Sequence, residues 1–306
     1  MAELPTISVI LPTRDRPDLL REAAESVLAQ EPPPRELLIV DDGHHDEAAA
    51  VVRRLPPRDA ISVRLLQGPG RGPAAARNVG LQEARGEVLA FLDDDDLWLP
   101  EKLRRQVVWF ARRPEVGVVG TLCVRTRDPA AVSVRSRRQA DPLRKITRLA
   151  LLRANRLTMS SVVARRACFE AGRGFDESLM LAQDWDMWLR ISVCWQVGIV
   201  PAALTVHRLH GGQRSADHLA MREGEVQVLR RELSRCAAGA CGLGALRRRL
   251  AWAHCRVGRL VARAGETARA VEELRRSMAL FPYNPMTWCS LLRCALAQRE
   301  PAGVEQ

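Results

Sequence analysis

The sequence is poor in lysine, tyrosine and long apolar runs. Of its 47 basic side chains only Lys102 and Lys145 are lysine, and it has 1 tyrosine and 5 phenylalanines. No stretch of about twenty consecutive apolar residues occurs, so a membrane-spanning helix is not expected. The most apolar late segment, Ile191 to Val206, is too short and is interrupted by Gln196 and Pro201. The first residues carry no basic run ahead of an apolar one and do not read as a secretory signal. The 8 cysteines never fall as C-x-x-C, which suggests neither a zinc site nor a disulfide frame. Reduced thiols, and hence a cytoplasmic location, are the expectation. The arginines lack aromatic interleaving and any module of a nucleic-acid binder, so no nucleic-acid partner is expected.

What is present is apolar residue enough for a sizeable core, 47% of 306 residues, in one large domain or two unequal ones. The net charge of +11 is unevenly spread. Residues 1–100 hold 11 basic and 18 acidic side chains, a net of −7, whereas residues 101–175 hold 18 and 5, a net of +13. A basic middle segment suits an anionic substrate or an anionic phospholipid surface, hence peripheral association with the inner face of the membrane. A solvated arginine-rich surface is the plainer alternative.

The first hundred residues alternate between two periods. "ISVIL", "ELLIVDDG", "ISVRLLQ" and "EVLAFL" read as strands; "PDLLREAAESVLAQ", "DEAAAVVRRL" and "GPAAARNVGLQEA" read as helices. Such alternation implies a largely parallel sheet with helices on both faces, and ligands bind beyond the carboxyl ends of its strands. Those ends carry Thr13–Arg14–Asp15, Asp41–Asp42–Gly43 and the run Asp93 to Asp96. Residues 101–113 predict another helix, "VGVVGTLCV" a strand, and 125–148 an irregular, arginine-rich surface excursion. From about Ala216 onward the pattern is helical. There "RAGETARAVEELRRSMALFPYNP" suggests one tetratricopeptide-like hairpin, or simply a helical appendage over an apolar face.

Four adjacent aspartates repel one another and raise each other's pKa, so a compensating cation is expected. If strand geometry continued through them, Asp93 and Asp95 would share a side. Oxygen donors of this kind suit Mg²⁺ or Mn²⁺. The residues alone also allow a solvated acidic turn or the acid-rich start of a helix.

Together, "ISVILPTRDRPDLLREAAESVLAQ", "ELLIVDDG", "GPAAARNVGLQEARGEVLAFLDDDDLWLPEKL" and "AQDWDMWLR" resemble glycosyltransferase family 2 over residues 5–215. The resemblance implies the GT-A nucleotide-sugar-binding fold, an α/β architecture with a Rossmann-like, mixed but mostly parallel sheet. A C-terminal all-α extension would follow, giving domains at 1–215 and 216–306. It also implies inverting transfer from a nucleotide sugar, a UDP-sugar foremost, to a glycan or lipid-linked acceptor in polysaccharide or envelope synthesis. Pro12, Thr13, Asp15, Asp42, Arg77, Asp93 and Asp94 would face the nucleotide sugar. Asp93, Asp95 and His210 would hold Mn²⁺ or Mg²⁺, and Asp184 would be the base. Gln183 stands where the family has glutamate; it motivates a second reading, an inactive protein that acts through its helical tail. Asp15 and Asp184 could instead cap helices, and Trp185 and Trp188 could flank an acceptor sugar or sit in the core. Arg208 and Arg214 could pair with phosphate. His44 and His45 read as a variable loop.

Overall fold

The computed structural model describes residues 3–43, 46–129, 132, 142–170, 174–211, 217–236 and 242–297. His44, His45 and Arg214 lie outside them. The chain divides into two compact units, Met1–Gln213 and Arg214–Gln306.

The first unit opens with the expected alternation: β1 (Ile7–Thr13), α1 (Pro17–Leu28), β2 (Glu36–Asp41), α2 (Glu47–Arg54), β3 (Ser62–Gln67), α3 (Pro73–Glu83) and β4 (Val88–Phe91). Every residue of β1, β2 and β4 is buried, as helices on both faces of a parallel sheet require, while β3 at the edge is largely exposed. Gly80 lets α3 lie directly on β1: a Cβ there would come 2.5 Å from Ile10 Cγ2. Glu36, buried in β2, is satisfied by the Ser8 hydroxyl and the Arg85 amide, both at 2.6 Å.

The sheet then becomes mixed. Among the described residues it has nine strands, eight of them in the order β3-β2-β1-β4-β8-β6-β9-β5, where β5 is Asp96–Trp98, β6 Val116–Thr126, β8 Val163–Arg165 and β9 Gln196–Arg208. β4 and β6 both pair antiparallel with β8, and β6 pairs parallel with β9. The helices α4 (Lys102–Arg112), α5 (Arg148–Arg153) and α6 (Gln183–Ile191) complete the unit. The predicted irregular excursion at 125–148 lies in large part outside the described residues, but its two ends are strands. β6 runs to Thr126, and β7 (Arg144–Ile146) joins the sheet along β9, with Arg144 opposite Ile199. A three-residue strand has no period to read; the exposed edge of β9 specifies it.

One register line positions the site. Thr13 pairs with Asp41, and Asp41 pairs with Gln67, so the last residues of three parallel strands lie side by side at the carboxyl edge. Pro12 is tolerated in a central strand because the β1–β4 ladder stops at Ile10 opposite Phe91.

The second unit consists, among its described residues, of α7 (His218–Arg235), α8 (Leu243–Arg263), α9 (Thr267–Leu280) and α10 (Pro285–Ala297). α8 and α9 form a hairpin. Gly265 supplies the positive φ of its turn, and Gly258 the close approach, since a Cβ there would meet Leu274 Cγ at 2.9 Å. Among the described residues no helix is long and apolar enough to cross a membrane.

Candidate active site

β4 ends at Phe91, so Asp93 to Asp96 do not continue it; they form a turn that leads into β5 at Asp96 and is closed by Asp96 N–H donating to the Asp93 carbonyl at 3.0 Å. Strand alternation therefore does not govern these side chains. The turn brings one carboxylate oxygen from each of Asp93, Asp95 and Asp96 within 4.8 Å of one another. Asp96, which alternation set aside, belongs to this cluster. A set of hard carboxylate oxygens this close fits a divalent cation such as Mn²⁺ or Mg²⁺.

The turn is braced by basic side chains from distant elements. Arg16, just ahead of α1, donates to Asp94 at 3.2 Å and to Asp95 at 3.3 Å. Arg77 on α3 pairs with Asp93. His207 faces Asp96 across the β5–β9 ladder, its Nδ1 2.9 Å from the carboxylate. His210 Nε2 lies 3.2 Å from Asp95 Oδ2, which brings it to the acidic cluster. Arg208, suggested as a phosphate ligand, is instead turned inward. It donates to the main-chain carbonyls of Asp94 and Asp95 at 2.8 Å each and pairs with Glu22. The guanidinium thus holds the turn's backbone and offsets its charge at once.

Asp94 points into the protein, away from this role. The Thr13 hydroxyl donates to it at 2.9 Å. Burial and then the Asp95 charge push its pKa up to about 6, against Arg16 and Thr13. Burial likewise raises Asp96, opposed by the His207 hydrogen bond, and that same bond raises His207.

Asp42 is buried, and both of its oxygens are engaged. Oδ1 accepts from Gly70 N–H at 2.8 Å and Oδ2 from Gly72 N–H at 2.6 Å. The glycine-rich loop after β3 is therefore organised on this carboxylate. Asp42→Ala is expected to speed amide exchange at Gly70 and Gly72 and to cost about 1.5–3 kcal/mol per charge-assisted bond at most. Hydrogen exchange read amide by amide checks this; unchanged protection at both glycines would refute it. Asp15 is exposed, with φ 55°, and does not cap α1: the N-cap residue is Arg16, without a side-chain bond. It lines a small cleft with Thr13, Arg16 and Asp41.

α6 carries the remaining chemistry. Its N-cap is Ala182, so Asp184 is not the cap. Asp184 is half-buried; Oδ2 accepts from Asn155 Nδ2 at 2.8 Å and Oδ1 from Trp185 N–H at 2.7 Å. Desolvation raises its pKa, while these two bonds and Arg77 hold it down. Gln183 Oε1 accepts from Arg77 Nη1 at 3.3 Å, and its Nε2 donates to the Leu179 carbonyl. An ionised glutamate could accept from Arg77 but could not donate to Leu179, which gives the glutamine a structural reason. Arg77 thus bridges the acidic turn and the start of α6. Trp185 and Trp188 are both buried, 2% and 0% exposed, and the Trp185 indole donates to the Leu151 carbonyl at 2.8 Å. They are core residues, not walls of an acceptor site.

Residues 8–170 match the family described as Glycosyl transferase family 2. The chain belongs to that family. This glycosyltransferase is 29% identical over 245 residues to the succinoglycan biosynthesis protein ExoO of Rhizobium meliloti, over 75% of this chain and 69% of that protein. It is 36% identical over 110 residues to the putative teichuronic acid biosynthesis glycosyltransferase TuaG of Bacillus subtilis, over 36% of this chain and 43% of that one. Among solved structures it is similar to mannosyltransferase PcManGT from Pyrobaculum calidifontis in complex with GDP-Man and Mn²⁺. That likeness has TM-score 0.65 and 22% identity, over 98% of this chain and 82% of that one. It is similar also to S. aureus TarS 1-349 in complex with UDP-GlcNAc, with TM-score 0.66 and 18% identity, over 90% and 81%. These structural likenesses establish the GT-A fold.

Proposed function

We propose that the chain is a metal-dependent, inverting glycosyltransferase that moves a sugar from a nucleoside-diphosphate sugar to a hydroxyl of a glycan or lipid-linked acceptor. The observation that carries this is the convergence of Asp93, Asp95 and Asp96 within 4.8 Å, joined through Arg77 to the helix that bears Asp184. Asp93, Asp95 and Asp96, with His210 beside them, would hold the cation; when bound, it would offset charge on the departing diphosphate. Pro12, Thr13, Asp15, Asp42 and the loop it organises would line the nucleotide side. Asp184 would accept the proton as the acceptor O–H breaks. The oxygen's electron pair would then form the bond to the anomeric carbon, and the nucleoside diphosphate would leave with the electrons of the old bond.

A UDP-sugar is the first donor to test and a GDP-sugar the second, because the two similar structures hold one of each. An acceptor in envelope polysaccharide synthesis is supported by the likeness to ExoO, a succinoglycan biosynthesis protein, and to TuaG, a putative teichuronic acid biosynthesis glycosyltransferase. A site of action at a phospholipid surface is supported by the basic segment 101–175.

The deciding experiment is a thermal-shift titration of the purified chain with Mn²⁺ and UDP-sugars or GDP-sugars. Donor at a hundredfold excess over its Kd stabilises by about 2.7 kcal/mol. Asp95→Ala is expected to remove the Mn²⁺-dependent part of that gain. Stabilisation that survives both a chelator and this substitution would refute the metal assignment.

A further inference from the structure

Asn155 is in none of the sequence motifs, yet it makes the one side-chain hydrogen bond received by Asp184 among the described residues. It lies between α5 and the short 3₁₀ turn Met159–Ser161. Its own orientation is set, because Leu157 N–H donates to Asn155 Oδ1 at 3.2 Å and so turns the amide nitrogen toward Asp184. The far end of the same short segment holds the acidic turn, where the Ser160 hydroxyl accepts from Asp93 N–H at 3.1 Å. One stretch of chain therefore braces both the carboxylate on α6 and the first aspartate of the turn.

We infer that Asn155 is a positioning residue for the base: it orients the Asp184 carboxylate and keeps it ionised through a charge-assisted hydrogen bond. The inference rests on Asp184 being the base. Two N–H donors, one on each oxygen, fix the plane of the carboxylate and leave each oxygen lone-pair capacity for the incoming proton. The other charges that act on Asp184 are Arg77 from α3, which favours its ionised form, and Asp93 from the turn, which opposes it. Arg148 on α5 sits at the opposite end of α6, donating to the Leu189 carbonyl at 2.6 Å, and does not face the base. Without Asn155 the half-buried carboxylate keeps only the Trp185 amide and Arg77 against burial and Asp93.

The test uses the full chain with Mn²⁺ and whichever of UDP-glucose, UDP-GlcNAc or GDP-mannose supports nucleoside diphosphate release. Asn155→Ala is expected to lower kcat about tenfold, the loss of one charge-assisted bond, and to move the acidic limb of the kcat–pH profile upward. The donor KM stays unchanged. Asn155→Asp, which replaces the donor by a second carboxylate, moves the limb further. A merely structural role would lower the folded fraction without moving the limb. Titration of the Asp184 carboxyl by ¹³C NMR gives a readout that needs no turnover, and Asn155→Ala is expected to raise its midpoint. A fixed limb or midpoint in a folded Asn155→Ala protein overturns the inference and leaves the base assignment intact. Full transfer by Asp184→Asn would instead remove the base assignment, and with it the reason for Asn155.

Discussion

Asp184→Asn is expected to lower the rate of transfer by about 10²–10⁴-fold, the usual contribution of a positioned general base. The substitution is nearly isosteric. Trp185 N–H can still donate to the carboxamide oxygen, while Asn155 would face either an oxygen or an NH₂ group. The fold of α6 does not depend on the charge, because its N-cap is Ala182 and its buried face is Trp185, Met187, Trp188, Leu189 and Ile191. Donor binding is expected to persist, since the acidic turn and the Asp42-organised loop are untouched. The measurement is kcat with a saturating donor beside the Kd of Mn²⁺-dependent nucleotide binding. A loss smaller than about tenfold at unchanged Kd would mean that another group takes the proton.

Lys102→Met is expected to stabilise the protein by about 2 kcal/mol or more, the opposite of what loss of a charged residue usually does. Lys102 opens α4 and is 0% exposed; its Nζ makes no hydrogen bond among the described residues and lies 3.9 Å from the centroid of the Trp98 ring. Burial drives its pKa well below the ordinary lysine range, and the amine is held at the positive end of a helix. Neutralising an amine costs about 1.4 kcal/mol for each pH unit below its unfolded pKa, a cost that methionine avoids while filling a similar volume. For a unit of this size each kcal/mol moves Tm by roughly 2–4 °C.

The sign of the pH dependence follows from linkage. Between the lowered folded pKa and the unfolded value near ~10.4, the unfolded chain binds the proton that the folded chain does not. Stability therefore rises with pH through that window. The wild-type deficit relative to Lys102→Met should accordingly shrink as pH rises from 7 to 9. Urea midpoints of the two proteins across that range would show it, and a parallel pair of curves would mean that the amine is not held neutral.

The aspartate run is legible in the sequence as a place needing positive charge, and His210 and Arg77 are legible as candidates near the site, yet the other sources of that charge are not. Arg16 lies within a motif that assigns it no role, nothing local marks His207, and Arg208 reads from sequence as a phosphate ligand. Each reaches the turn through a contact spanning 78 to 114 residues of sequence, a distance at which no local period leaves a trace. Asn155 is invisible for the same reason: nothing in its neighbourhood marks it, and its partner is 29 residues away. The tryptophans of α6 leave two roles open in the sequence, and burial of both selects the core. Their helical spacing is real, but the same spacing serves a sugar-binding face and a core face, and only tertiary burial, with the Trp185 bond to Leu151, separates the two.

Local chemistry in the sequence by itself determined the alternation of strands and helices to Phe91, the convergence of polar strand ends on one edge, and the helical character after residue 216. Hydrophobic period, proline and glycine act within a few residues, and those elements needed nothing more. Tertiary structure decided that Asp93 to Asp96 are a turn, that Asp96 joins Asp93 and Asp95 while Asp94 faces inward, and that Asp184 is held by Asn155. The physical reason is that a carboxylate's direction, charge state and partners depend on the groups that desolvate it and donate to it, and here those groups come from the end of β1, the residue ahead of α1, α3, β9 and the segment before β8.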